Sequence, residues 1–118
     1  MLVLICDTYR SELGKSTWKF LHLMTAKFPN DPNEEQKQKL HTFFKLFGEL
    51  YPCDECSYHF QQLIEKFPPQ TNSSNDASLW LCNMHNLVNQ RLDKPIYDCS
   101  KLSNDLDCDC GLSLNELD

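Results

Sequence analysis

The sequence predicts an all-α fold assembled from five helical pieces. No stretch sustains an alternation of apolar and polar residues, apolar residues recur at helical spacing from end to end, and only three of the 118 residues are glycine. A chain of this length has room for one hydrophobic core and too little for a second independent unit, so one domain is expected.

The first helix should run from about Ser11 to Phe28, where Pro29, Asp31 and Pro32 end it. Residues 1–10 are read as an N-terminal arm, whose run MLVLIC is too brief for a signal core or a bilayer span, so no targeting segment is visible in it. The second helix starts after an Asn33 cap, with Gln36 placed for a capping box, and reaches Tyr51. Its apolar set of Leu40, Phe43, Phe44, Phe47, Leu50 and Tyr51 is the clearest amphipathic stripe in the chain.

Pro52 suits the first turn of a third helix carrying Cys56, Phe60, Leu63, Ile64 and Phe67 on one face, and Pro68 and Pro69 stop it. The polar residues 70–75 read as a surface loop, after which Asn75 or Asp76 caps a fourth helix reaching about Leu92. That helix is apolar nearly all round, with Leu79, Trp80, Leu81, Met84, Leu87, Val88 and Leu92, and is expected to be largely buried. A short fifth helix is expected between Asp98 and Leu106, closing a domain over 11–106, and 107–118 then form a flexible tail.

The net charge of -6, with acidic residues concentrated after Asp93, argues against a nucleic-acid partner. Seven cysteines in so short a chain point to an oxidising compartment or to bound metal. Cys53 and Cys56 stand at i and i+3 at the start of a helix, within disulfide reach and where the helix N-terminus favours a thiolate. The same spacing is half of a zinc site, and Cys82 with His85 supplies a second half, so Cys53, Cys56, Cys82 and His85 form an alternative four-ligand set of a zinc-stabilised binding module. Against zinc, both pairs lie in long apolar-striped helices and not in short knuckles. A disulfide between Cys108 and Cys110 would close a small ring that is easily reduced, which suits a shuttle better than a staple. Cys82 and Cys99 remain for a structural bridge across the turn at Lys94 and Pro95, and Cys6 is the candidate odd cysteine. A disulfide-stapled interaction protein without turnover is the third reading.

The fourth helix also bears His85, Asn86 and Asn89, which need partners if buried. Together with Trp18 and His22 on the first helix they form a face that could hold a ring-bearing polar cofactor.

Four motifs in order, Gly14-Lys15-Ser16-Thr17-Trp18 with His22, Tyr51-Pro52-Cys53-Asp54-Glu55-Cys56, Cys82 to Asn89, and Lys94-Pro95-Ile96-Tyr97-Asp98-Cys99, resemble the Erv/ALR sulfhydryl oxidase family over roughly residues 13–110. The resemblance implies a four-helix bundle with a short fifth helix, FAD held in the bundle, and a homodimer. It implies that Gly14, Lys15, Trp18, His22, Glu49, His59, Cys82, His85, Asn86, Val88, Asn89, Lys94 and Tyr97 bind the FAD, the main chain at Cys82 approaching it closely. By the same similarity Cys56 is the sulfur beside the flavin and Cys53 the one attacked by the shuttle pair Cys108 and Cys110. The implied partners are dioxygen and a protein dithiol of the thioredoxin-like, protein disulfide isomerase type. A Cys-x-Cys after the bundle resembles the secretory-pathway branch and implies the endoplasmic reticulum lumen, with the mitochondrial intermembrane space as the alternative.

Overall fold

The computed structural model describes the backbone of residues 2–102 and the side chains of residues 10–102. Four helices, α1 (Leu2–Ala26), α2 (Glu34–Leu50), α3 (Asp54–Lys66) and α4 (Ser74–Arg91), are followed by one 3₁₀ turn at Cys99–Lys101, and no strand occurs among the described residues. The expected all-α class stands. Short connections join the helices, with α1 packed chiefly on α4 and α2 on α3.

Helix α1 begins at Leu2, well before Ser11, so the backbone of the expected arm belongs to the helix. Between Leu2 and Arg10 there is no proline or glycine to stop it. Cys6 lies in this stretch, and Cys108 and Cys110 lie outside the described residues. Phe28 is not in the helix but in the turn after it, its N–H donating to the Thr25 carbonyl at 3.2 Å. The Ser74 hydroxyl donates to the carbonyls of Thr25 and Ala26 at 2.9 and 3.1 Å, so the start of α4 satisfies the end of α1.

The Asn33 capping box forms as expected, with Gln36 N–H to Asn33 Oδ1 at 2.8 Å and Asn33 N–H to Gln36 Oε1 at 2.9 Å. On α2, Leu40 and Phe44 are buried and Phe43 and Phe47 half-buried, while Leu50 at the stripe's end is 76% exposed. Gly48 lets α3 approach: a Cβ there would lie 3.3 Å from Gln61 Cγ and 3.4 Å from the Phe60 ring.

Two expected caps are corrected. Pro52 precedes the cap of α3 and is not in its first turn, because Cys53 adopts an extended conformation and takes the cap position itself. Helix α4 is capped by Ser73, whose hydroxyl accepts from Asp76 N–H at 2.9 Å, so Asp76 is the third helical residue. Asp93 ends α4 in the left-handed region at φ 59°, with its N–H on Gln90 and Lys94 N–H on Asn89 at 2.8 Å. Helix α4 is largely buried as expected, through Trp80, Leu81 and Met84, although Leu79 is 46% and Leu92 47% exposed. Of the fifth helix, the 3₁₀ turn and Leu102 lie within the described residues.

The core gathers Leu21, Phe44, Phe60, Trp80, Leu81 and Met84, with Phe44 and Trp80 in edge contact at 4.8 Å. A smaller cluster of Cys82, Leu102, Tyr97 and Cys99 packs the C-terminal segment onto α4, and a Cys82–Cys99 disulfide closes it, as the sequence suggested. Into the α1–α4 interface two histidines are buried, His22 Nε2 lying 3.0 Å from His85 Nδ1. Burial pushes His22 down from 6.5 to about 3, helped by His85, and His85 down to about 4, helped by the Lys94 charge.

Two stability measurements follow. Replacing Cys82 by Ala should lower the unfolding free energy by about 2–5 kcal/mol in urea titration. Unfolded imidazoles bind protons near pH 6.5, whereas these two stay neutral in the folded chain down to about 4 and 3. Their contribution is therefore intact above pH 6.5 and lost as the pH falls through that window, with a slope of about 1.4 kcal/mol per pH unit for each group. Urea titrations from pH 7.5 to 4 should show this loss, and it should shrink in His22→Gln.

Candidate functional site

The first chemical element is the Cys53–Cys56 disulfide at the N-terminus of α3, its Cα atoms 5.2 Å apart. Tyr51, preceding Pro52, is held extended, and Cys53 N–H turns back to the Tyr51 carbonyl at 2.8 Å. The Cys53 sulfur then accepts from Cys56 N–H at 3.3 Å, so the cap places Cys56 one turn into the helix, where N–H groups point outward from its positive end. Cys53 is buried and Cys56 half-buried.

Cys56 lies on the wall of a cavity of about 390 Å³ between the four helices. α1 contributes Arg10, Ser11, Gly14, Lys15, Thr17, Trp18 and Leu21; α2 and the turn after it, Phe47 and Tyr51; α3, His59 and Phe60 beside Cys56; α4 and its end, His85, Val88, Asn89, Arg91, Leu92 and Lys94. The interior is aromatic and aliphatic, and Arg10, Lys15, Arg91 and Lys94 make its lining basic. Such a volume, apolar walls and a few convergent polar groups describe a small-molecule or cofactor site. Glu55 reaches both Arg10 and Arg91 at 3.6 Å, joining α3 to α1 and α4, and the Arg10 guanidinium lies 3.9 Å from Cys56 Sγ. Trp18 stacks on His85, ring centroids 3.9 Å apart and 5° from parallel.

Of the expected ligand-binding residues, Gly14, Lys15, Trp18, His59, His85, Val88, Asn89 and Lys94 line this cavity. The others stand elsewhere. His22 lies behind the wall against His85, fully buried. Glu49 is exposed, because it points about 200° around α2 from the cavity-lining Phe47. The Cys82 side chain forms the disulfide with Cys99, whereas the expectation for Cys82 concerned its main chain. Asn86 turns away and grips Tyr97, donating to its carbonyl at 2.8 Å and accepting from its N–H at 2.9 Å. Tyr97 packs with Cys82 and Leu102.

The zinc set does not assemble: its three cysteines are committed to Cys56, Cys53 and Cys99 respectively, His85 faces His22, and no metal-holding group occurs among the described residues. The α1 lining residues that sequence reasoning missed carried a signal, since Arg10, Thr17 and Leu21 share one helical phase with the expected Gly14 and Trp18. Arg91 carried none.

The Erv1 / Alr family model matches residues 15–107. The FAD-linked sulfhydryl oxidase ERV2 of Saccharomyces cerevisiae is 51% identical over 105 residues, covering 89% of this chain and 54% of that protein. The FAD-linked sulfhydryl oxidase ERV1 of Oryza sativa subsp. japonica is 37% identical over 102 residues, covering 84% and 53%. The chain thus spans about half the length of the curated relatives it matches. The crystal structure of the FAD binding domain of Erv1 from Saccharomyces cerevisiae superposes with a TM-score of 0.78 at 35% identity, covering 79% of this chain and 89% of that one. A disulfide at a helix start opening onto an aromatic, basic-lined cavity, in a fold and sequence shared with these proteins, means that the chain belongs to the Erv1 / Alr family.

Proposed function

We propose that the chain is an FAD-linked thiol oxidase, a reading carried by one observation: Cys56, a member of the CxxC disulfide, lies on the wall of the aromatic cavity. The cavity suits the cofactor on chemical grounds. Trp18, Phe47, Tyr51 and Phe60 offer faces and edges to flat rings, His85 and Asn89 offer polar groups, and Arg10, Lys15, Arg91 and Lys94 offer cations to a diphosphate. When bound, FAD supplies the two-electron acceptor that returns electrons to dioxygen.

The thiol chemistry belongs to the chain. A substrate thiolate attacks the Cys108–Cys110 disulfide, the second substrate thiol completes the exchange, and the pair is reduced while the substrate becomes a disulfide. One shuttle thiolate then attacks Cys53 Sγ; the Cys53–Cys56 bond breaks, and Cys56 departs as a thiolate. The N-terminus of α3 and the Arg10 guanidinium at 3.9 Å stabilise that anion. The second shuttle thiol displaces Cys53 and restores the Cys108–Cys110 bond. The net reaction converts a dithiol and dioxygen into a disulfide and hydrogen peroxide.

The substrate is a protein dithiol of the thioredoxin-like, protein disulfide isomerase type. Identity to ERV2, whose name carries no mitochondrial designation, exceeds the 37% to the mitochondrial ERV1 of the same yeast, and a Cys-x-Cys after the fourth helix resembles the secretory-pathway branch; both favour the endoplasmic reticulum lumen over the intermembrane space. A homodimer is supported by an apolar surface on α1 and α2, where Phe20 is 55% and Leu46 48% exposed beside Leu13, Leu23 and Leu50.

The purified chain should be yellow, with roughly one FAD per chain. Cys56→Ala should keep the flavin and abolish oxygen uptake with every thiol, and a colourless protein that resists reconstitution with FAD would sink the reading. The double change Cys108→Ser, Cys110→Ser should keep the flavin and much of the turnover with dithiothreitol, but lose most of it with a reduced thioredoxin-like protein. Oxygen-electrode traces with both substrates decide the point, since equal retention would make the two cysteines bystanders.

A further inference from the structure

We propose that His22 is a positioning residue that holds His85 in the tautomer protonated on Nε2, so that His85 presents a neutral hydrogen-bond donor to the cavity. The two rings lie 3.0 Å apart between His22 Nε2 and His85 Nδ1, on facing helices, in the interior. A hydrogen bond of this kind between neutral imidazoles holds one proton, and either ring can supply it. Burial keeps both rings uncharged at neutral pH.

The far side of His22 decides between the two arrangements. His22 Nδ1 is buried and has no hydrogen-bond partner among the described residues. If His85 were the donor, His22 would carry its own proton on Nδ1, and a buried N–H would face no acceptor. If His22 donates from Nε2, its Nδ1 is a bare lone pair. Buried N–H groups without acceptors are rarer than buried acceptors without donors. His22 therefore donates, His85 Nδ1 accepts, and the proton of the neutral His85 ring sits on Nε2.

Nε2 is then the one His85 nitrogen left for a ligand, and His85 lines the cavity while His22 does not. Trp18, parallel to His85 at 3.9 Å, keeps the ring in this plane. The atom that meets His85 must be an acceptor, such as a ring nitrogen or an oxygen of a heteroaromatic ligand; an N–H at the same point would meet another N–H. Unlike the charged donors Arg10, Lys15, Arg91 and Lys94, which draw anions, this donor discriminates by hydrogen-bond pattern.

The identity of the ligand rests on the flavin reading, whereas the tautomer does not. The full chain, labelled with ¹⁵N at histidine, should be studied by NMR both as purified and with added FAD. Ring nitrogen shifts and long-range proton–nitrogen correlations, assigned by single substitutions among the four histidines, should place the protons of His22 and His85 on Nε2 in both samples. His22→Gln puts an amide N–H near the position of Nε2, and His22→Leu puts none. The Gln variant should keep the His85 tautomer and bind FAD nearly as the parent does. The Leu variant should show mixed tautomers at His85 and bind FAD about tenfold more weakly, a loss of about 1.4 kcal/mol. A parent chain with His85 protonated on Nδ1 would overturn the proposal, even if neither variant folds. So would Gln and Leu variants that weaken FAD equally with the His85 tautomer unmoved. A parent chain with the Nε2 proton that takes up no FAD would instead overturn the flavin reading and leave the histidine assignment standing.

Discussion

The site depends first on where α3 starts. Cys53 is at once the helix cap and one half of the disulfide, so the cap conformation and the position of its sulfur relative to Cys56 are one constraint. Tyr51 and Pro52 enforce it, because a residue before proline resists the helical region and a proline has no N–H for the ladder of α2. Moving the start of α3 by one residue would rotate Cys56 by about 100° and take it off the cavity wall. Ser57 adds a second lock, its hydroxyl donating to the Gly48 carbonyl of α2.

The polar groups of α4 divide by partner. Asn86 serves the backbone of Tyr97 and thereby fixes the segment that carries Cys99, so disulfide and amide hold the same short stretch. His85, one position earlier, looks the other way, toward α1. A step of about 100° per residue suffices to send neighbours in sequence to opposite tasks. The Cys82 bond is thereby structural in its surroundings: it sits in an apolar cluster away from the cavity, whereas Cys56 sits on the cavity wall.

What was legible in the sequence was local or periodic. The Asn33–Gln36 box needs three residues of context, and the CxxC and the phase joining Gly14 to Trp18 are patterns along one helix. The start of α4 was not legible, because Ser73, Asn75 and Asp76 are all competent caps and the choice goes to Ser73, which leaves Ser74 to meet the end of α1. Glu49 and Asn86 stand off the cavity wall for a related reason: residue type says that a side chain needs a partner, and only packing says which one. Arg10 and Arg91 look like solvated charges until α3 brings Glu55 between them.

Charge shows how far composition can mislead about a site. The chain carries a net charge of -6, yet four of its eleven lysines and arginines line a single cavity, and Glu55, the acid near them, is held by two of the four. Inside low-dielectric walls such a cluster focuses positive potential. The lining of the cavity is therefore basic although the chain as a whole is acidic. An aromatic interior alone would hold any flat ring and a cationic rim alone any anion, so only a ligand that joins a flat heterocycle to an anionic group uses both parts of the cavity.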